Sequence, residues 1–203
     1  AIRQTKNPSM NIEVTFRGKA LSESGGVKEI ETTLQKNIKV NSQLQLSSRG
    51  IYSVGPFSNS GPLPPKANQS TSYTMAWSIT NSSNDVSGAV VSATLPSYVN
   101  WVGATYPASE NVTYDPINRE VRWVAGSVPR GTGITIPRAE VAFQVSYLAS
   151  LSQVGGQPTL LSSSRLSGLD NFTDKNLSFT AKEVTTRISS DPNYRDFWTI
   201  VVN

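Results

Sequence analysis

The chain has 203 residues, with 18 lysines and arginines against 14 aspartates and glutamates, and it contains neither cysteine nor histidine. Those two absences exclude imidazole acid–base catalysis, a thiol nucleophile, a disulfide framework and any cysteine or histidine metal ligand. The positive excess lies entirely in residues 1–49, which carry eight basic and four acidic side chains, because residues 50–203 carry ten of each. Composition therefore makes a non-enzymatic function the main prediction, with no cofactor.

Residues 1–37 are predicted to be an N-terminal strand segment. Ile12, Val14 and Phe16 alternate with polar residues, which is the two-residue period of a strand. A serine- and glycine-rich turn follows at residues 22–26, and the next run alternates again but is rich in charge. Because this segment is too short for a sandwich of its own, we expect it to be a donor strand or the end of a preceding module.

Residues 38–190 are predicted to form an all-β domain, an immunoglobulin-like β-sandwich. Large apolar residues recur at every second position in about seven short runs, with Gly, Pro and Asn between them. A hairpin is expected across residues 115–118, whereas residues 55–65, with four prolines, are expected to be an ordered loop. The predicted core residues are Tyr73, Met75, Trp77, Ile79, Val121, Trp123, Val141, Phe143 and Val145.

Residues 191–203 are predicted to form a C-terminal strand. The run from Phe197 to Val202 is apolar on both faces, and such a strand needs burial on both sides. We therefore expect it to belong to a next module or to be exchanged between copies, so that the fold is a sandwich with extra strands at both termini. The predicted assembly residues are Ile12, Val14, Phe16, Phe197, Trp198, Ile200 and Val202.

Four motifs follow one another within the sandwich segment. They are Tyr73-Thr74-Met75-Ala76-Trp77-Ser78-Ile79-Thr80-Asn81, Ala93-Thr94-Leu95-Pro96, Val121-Arg122-Trp123-Val124-Ala125-Gly126 and Val141-Ala142-Phe143-Gln144-Val145. In this order they resemble the "conserved repeat" family of immunoglobulin-like domains in large bacterial and archaeal surface proteins. The resemblance spans about residues 40–190, and the part after Leu148 departs from the commonest members. It implies a non-catalytic, extracytoplasmic structural module, often in tandem, and it supplies no catalytic residues.

Several side chains admit a chemical interpretation beside a structural one. Asp170 and Asp174 are weak Ca²⁺ candidates, but a calcium loop gathers more carboxylates, so a turn is favoured and no metal is predicted. Glu29 and Glu31 could mimic a glycosidase pair, yet such acids normally converge from separate strands. The four tryptophans could form a sugar platform, but three of them are in phase with the inward rows of their strands, which favours the core. Phe57, in the proline-rich loop, is the better exposed aromatic candidate.

The sequence therefore predicts a structural subunit or module of an extracellular, cell-surface assembly, namely a filament, stalk or surface layer. Its expected partners are other copies of itself or adjacent immunoglobulin-like modules, joined head to tail by strand pairing or tandem linkage. The alternative is an adhesin or carbohydrate-binding module that uses its loops on a surface glycan. Nucleic acid is not an expected partner because the basic residues are spaced out among glutamates, and no apolar run approaches the length of a membrane span.

Overall fold

The computed structural model describes residues 5–21 and 25–203, which form strands and turns with two short 3-10 segments, Leu151–Gln153 and Asp196–Trp198. Thirteen strands occur within these described ranges. In chain order they are β1 (Ser9–Leu21), β2 (Val27–Lys39), β3 (Leu44–Ile51), β4 (Ser70–Asn81), β5 (Val86–Thr94), β6 (Val99–Tyr106), β7 (Asn111–Asp115), β8 (Glu120–Val128), β9 (Ala139–Leu148), β10 (Thr159–Leu161), β11 (Ser164–Asp170), β12 (Lys175–Ala181) and β13 (Val184–Thr185).

Two antiparallel sheets make the body of the molecule. One has the order β3-β4-β9-β6 and the other β12-β11-β5-β8-β7, with β10 and β13 forming a small pair beside them. The predicted hairpin across residues 115–118 joins β7 to β8, and it pairs Val112 with Trp123 and Tyr114 with Val121. The prediction of an all-β sandwich is confirmed.

The core lies between the two sheets, where alternate side chains of each sheet meet. The nine predicted core residues are all there, and none is more than 2% exposed. Trp77 sits at the centre and packs edge-to-face on Phe143, with ring centroids 4.9 Å apart. Its indole Nε1 donates to Ser48 Oγ of β3 at 3.2 Å and to Ser164 Oγ of β11 at 3.0 Å. One buried side chain thus links the two sheets.

The prediction of a strand at the C-terminal end of the sequence is wrong. Asp196–Trp198 forms a 3-10 turn, and strand-like pairing is confined to a single bridge between Val202 and Lys66. The segment folds back on its own sandwich, where Val201 is 1% exposed and exchanges two backbone hydrogen bonds with Gly155 and Gly156. A turn can also bury an apolar run, because it places some of its side chains in the core. The run from Phe197 to Val202 therefore did not need to form a strand, although it is apolar at consecutive positions.

The N-terminal strands and the C-terminal segment lie at opposite ends of the sandwich. Asn84, just beyond the last residue of β4, donates from Nδ2 to the carbonyl of Val40, which follows β2. Lys66, which pairs with Val202, lies just before the first residue of β4. Because β4 has 12 residues, these two points are separated by about 37 Å along the strand.

Candidate interaction surface

Strands β1 and β2 form a long hairpin that stands apart from the sandwich. Their antiparallel register runs without a break from Ser9 opposite Lys39 to Leu21 opposite Val27. Thirteen residues in each strand give an arm of about 41 Å. Every side chain of the arm is exposed except that of Ala20, which is half-buried. The prediction of a strand at residues 12–16 thus corresponds to one half of a hairpin.

One face of the hairpin is polar apart from Leu21 and Val27 at the tip, and its polar residues pair across the two strands. Asn37 Nδ2 donates to Asn11 Oδ1 at 2.8 Å, and Gln35 Nε2 donates to Glu13 Oε2 at 2.9 Å. Nearer the tip, the Arg17 guanidinium lies 3.3 Å from the carboxylate of its cross-strand partner on β2. Such pairs each contribute a few tenths of a kcal/mol up to about 1 kcal/mol. This face has the chemistry of a sheet surface that meets water.

The opposite face is largely apolar, although Lys28, Thr32 and Lys36 also lie on it. In an antiparallel pair, residues directly opposite each other point to the same side, so the even-numbered residues of both strands share this face. Its large apolar side chains are between 39% and 63% exposed. They are Met10, Ile12, Val14, Phe16, Ile30, Leu34 and Ile38. We call these seven residues the apolar face; it contains the three N-terminal residues that the sequence assigned to assembly.

The hairpin also has two free edges. Within residues 5–21 and 25–203, β1 pairs only with β2 and β2 only with β1. An edge strand presents unpaired N–H and C=O groups that can accept another strand. Because a two-stranded hairpin is at best marginally stable alone in water, an arm of this length needs a partner surface. The combination of free edges and an apolar face makes the hairpin the candidate interaction surface.

A buried aspartate holds the base of this hairpin to the sandwich. Asp170, at the end of β11, is fully buried, and its Oδ2 accepts from the Ser42 backbone N–H and from Asn84 Nδ2, both at 2.8 Å. Its Oδ1 accepts the N–H groups of Phe172 and Thr173 at 3.0 and 3.1 Å. The connection from β2 to β3 is therefore tied to a turn more than 120 residues later in the chain. We call this network the Asp170 joint.

Further contacts at the base fix the direction of the hairpin. Lys39, the last residue of β2, donates from Nζ to the carbonyl of Phe172 at 2.7 Å and lies 4.9 Å from the centre of its ring. The Val40 N–H donates to Pro8 O at 2.9 Å and closes the hairpin at its base. The hairpin thus leaves the sandwich in a defined direction.

The geometry of the Asp170 joint favours the turn interpretation of this loop. Burial alone raises the pKa of Asp170, but the hydrogen bonds from Ser42, Asn84 and the following turn outweigh it and hold the pKa below its usual value. Four donors point at the carboxylate, so its oxygens are occupied by N–H groups and not arranged for a cation. The Asp174 side chain is exposed, and no cluster of three or more acidic residues occurs in the described part of the chain.

A second buried aspartate ties the other end of β3. Asp191 is 3% exposed, and its Oδ2 accepts the N–H groups of Tyr52 and Ser53 at 2.6 and 2.7 Å. Its Oδ1 accepts from the Ser53 hydroxyl and from the Asn193 N–H. Burial raises its pKa, but these hydrogen bonds more than compensate, and the pKa lies below its usual value. Edge strand β3, which continues the hairpin, is thus fastened at both ends by a buried carboxylate.

The remaining predicted site residues are placed as follows. Phe197 is 63% and Ile200 43% exposed, whereas Trp198 packs against the core. Glu29 and Glu31 lie on the open polar face of the hairpin, the latter paired with Arg17. Phe57 and Val202 are half-buried, and Trp77 and Trp123 are fully buried. Trp101 is half-buried and its ring stacks on that of Tyr114.

Sequence reasoning missed half of the interaction surface. It used Ile12, Val14 and Phe16 but not their cross-strand neighbours on β2. The signal was present, because two alternating runs separated by a short serine- and glycine-rich stretch are typical of a hairpin. The Asp170 joint had no comparable signal, since two of its four donors, Ser42 and Asn84, come from distant parts of the chain. Residues 22–24 of the predicted turn lie outside the described residues.

A shallow groove lies on the outer face of the four-stranded sheet. It has a volume of about 480 Å³, with Ala76 and Ala142 on its floor and the taller Arg49 and Tyr106 at its sides. Glu140 lies at one end, 3.9 Å from the Arg49 guanidinium. The Tyr106 ring is 57% exposed. This groove combines an exposed aromatic ring with charged groups, which is a chemistry that can hold a polar ligand.

Comparison with known proteins gives likeness of structure only. No family model matches the chain, and no curated protein matches it. Among solved structures it is similar to BcpA, the major pilin subunit of Bacillus cereus, at 13% identity and a TM-score of 0.44, covering 84% of this chain and 47% of that chain. It is also similar to the full-length major pilin SpaD from Corynebacterium diphtheriae, at 12% identity and a TM-score of 0.40, covering 74% of this chain and 35% of that chain.

A DUF4466 family protein from Parabacteroides merdae is similar at 9% identity and a TM-score of 0.25, covering 70% of this chain and 44% of that chain. The chain spans about half the length, or less, of each of these proteins. At TM-scores below 0.5 such likeness says nothing about what this chain does. Within the described residues, no helix has the length and apolar character needed to cross a membrane.

Proposed function

We propose that this chain is a non-catalytic structural module of an extracellular surface assembly, and that its hairpin joins the sandwich to a neighbouring module. The observation that carries the proposal is the exposed apolar face on an arm that is rigidly fixed at its base. The extracellular location is proposed from the motif order of residues 73–145, which resembles that of surface-protein repeats.

Covering the apolar face would contribute a large favourable free energy to a contact between two modules. Covering a half-exposed Leu, Ile, Phe or Met side chain stabilises by about 1 kcal/mol, so covering all seven side chains stabilises by about 7 kcal/mol. That is comparable with the whole unfolding free energy of a typical domain, which is about 5–15 kcal/mol. A surface of this size is not an incidental patch, because single exposed apolar residues are normal but contiguous ones mark interaction sites.

The placement of the ends supports a module in line with its neighbours. The hairpin leaves one end of the sandwich, and Thr199–Val202 is fixed at the other, about 37 Å away along β4. Tension between the two ends runs along β3, which pairs with β4 over its whole length. The hydrogen bonds of an antiparallel pair are perpendicular to the strands, so such tension loads all of them at once.

Single-molecule pulling tests this function directly. Because the chain has no cysteine, handles can be attached at Lys28→Cys and Asn203→Cys for pulling along the axis. A matched variant with Thr113→Cys and Ser178→Cys, on the two edge strands of the five-stranded sheet, is pulled across the strands and loads one pair at a time. We expect a clearly higher rupture force along the axis. Equal forces in the two directions would exclude a mechanical role.

The outer groove favours a second candidate, a glycan-binding module. Its exposed Tyr106 ring offers a face on which a sugar could stack, and Arg49 and Glu140 offer polar contacts. A glycan array probed with the full chain, with Tyr106→Ala and with Phe57→Ala distinguishes the binding positions. Binding lost only in Tyr106→Ala places the glycan in this groove, and loss only in Phe57→Ala places it on the proline-rich loop.

A further inference from the structure

Gly18 has no role within its own chain that explains the absence of a side chain. It lies inside β1, on the side of the apolar face and opposite Ile30, and it is not among the glycines with a positive φ. A Cβ at this position would meet no described heavy atom within 4 Å. Glycine weakens a strand because it loses conformational freedom and packs nothing. In a strand interior, it often marks a point where another backbone or ligand approaches closely.

The apolar face also tapers along its length. Near the base it carries the bulky pairs Met10–Ile38 and Val14–Leu34, whereas the tip half has Gly18 and Ala20 on β1. A partner that fits this face must therefore have small side chains opposite the base half and large side chains opposite the tip half. A second copy of the hairpin meets that requirement when it runs antiparallel to the first.

From these observations we infer that the occupant of the apolar face is the hairpin of a second copy of this chain, packed face to face and antiparallel. This rests on the proposed role of the hairpin as a joining surface. A two-fold axis across the middle of the arm places Ile12 over Gly18 of the other copy and Met10 over its Ala20. In these two β1 contacts large residues meet small ones, which is how facing layers fill space. On β2 the same axis places Ile30 and Ile38 over Lys36 and Lys28, whose alkyl stems can cover them while the ammonium groups reach water at the open edge.

Size and shape both select this arrangement. Seven half-exposed large side chains present on the order of 700 Å² to a partner, close to the roughly 800 Å² per partner of a specific interface. Packed sheets lie about 10 Å apart. Two copies aligned base to base would instead bring the bulky base halves of the two faces together, with Met10 over Ile38 of the other copy. In the antiparallel arrangement the sandwiches lie at opposite ends of the paired arms.

Sedimentation equilibrium of the full chain measures the association, with Gly18→Val as the test variant. Valine favours a strand, so it leaves or improves the hairpin of a single chain, but it fills the space that Ile12 of the other copy needs. We expect the dimer dissociation constant to rise at least tenfold. Thr33→Val is the matched control, because it adds valine to the polar face, and it should leave the constant unchanged within about twofold.

Distances between spin labels at Ser9→Cys fix the orientation. The labelled residue lies at the base, six residues from the axis, so the antiparallel dimer places the two labels about 40 Å apart. A base-to-base dimer would place them within about 20 Å. A long distance together with a weakened Gly18→Val dimer is the expected result.

Three outcomes overturn the inference: a monomer at the highest soluble concentration, a short distance between the labels, or a Gly18→Val dimer as tight as the natural one. If the chain is a monomer, the apolar face would have to contact a neighbouring module of a longer polypeptide and not a second copy of this chain. The structural function would then still stand on the pulling experiment, which does not depend on dimer formation. Failure of the inference and failure of the proposed function are thus measured separately.

Discussion

Replacing Asp170 with asparagine tests how strongly the hairpin base is held. The natural carboxylate accepts four hydrogen bonds, two at each oxygen. An asparagine amide has one acceptor oxygen, and its NH2 group would face two of the four donors whichever way it turns. Two donors, buried ones on the Oδ2 side or part-buried ones on the Oδ1 side, are then left without an acceptor, at about 1–3 kcal/mol each. We expect Asp170→Asn to lower the unfolding free energy by about 2–6 kcal/mol.

Urea denaturation followed by tryptophan fluorescence measures this loss. With a slope of about 2 kcal/mol per M urea, the midpoint should fall by about 1–3 M. The control is Asp174→Asn in the same turn, where the side chain is exposed and the backbone φ of +56° is one that asparagine accepts. Its midpoint should not move. Equal midpoints for the two variants would refute the reasoning, because the carboxylate would then not hold the joint.

The two buried aspartates also predict how stability depends on pH. The folded-state pKa of Asp170 and of Asp191 lies below the usual value, so their contribution is present in full above about pH 4, the ordinary carboxyl pKa, and is lost as pH falls through the folded pKa. We expect the urea midpoint of the natural chain to approach that of an Asp170→Asn/Asp191→Asn variant below pH 4. A gap that stays constant down to pH 2 would contradict this linkage.

Three further substitutions test the packing, and each is read by the same denaturation assay. Gly50→Val should cost about 1–3 kcal/mol, because even a Cβ at residue 50 would lie 2.8 Å from Val184 Cγ1. Trp77→Phe should cost about 1–3 kcal/mol, because it removes the indole donor to Ser164. Lys39→Ala should cost less than about 1 kcal/mol, as its contacts are exposed, but hydrogen exchange at the base of the hairpin should quicken. A larger loss of unfolding free energy in Lys39→Ala than in Gly50→Val or Trp77→Phe would contradict the assignment of these contacts.

The sandwich was predictable because its strands follow a local rule. In the run from Tyr73 to Ile79, each alternate residue is apolar, and burial of one sheet face requires that pattern wherever the strand lies. The prediction of the core from Val121 to Val145 rests on the same rule, and those residues are buried. Local alternation therefore sufficed for the strands, the sheet faces and the β7–β8 hairpin.

The parts that could not be predicted depend on contacts between distant residues. Asp170 looked like one more turn residue, and its Oδ1 does accept the N–H groups of its own turn, but its Oδ2 acquires partners only when Ser42 and Asn84 fold beside it. The C-terminal run failed for a related reason: its apolar side chains are buried by a tertiary contact, and the local pattern does not distinguish a turn from a strand. Pairing of β1 with β2 was accessible in principle, because the turn signal at residues 22–26 lies between two alternating runs.

The joint and the apolar face depend on each other in any assembly. An apolar face on a freely swinging arm could meet a partner in many directions, and ordering the arm on contact would cost conformational entropy. The Asp170 network and Lys39 fix the base of the arm before any partner arrives, so less of the free energy gained by covering the face is lost in ordering that end. A fixed base also sets the direction in which the arm leaves β3. The buried carboxylate at one end of the sandwich therefore influences a contact made up to about 41 Å away.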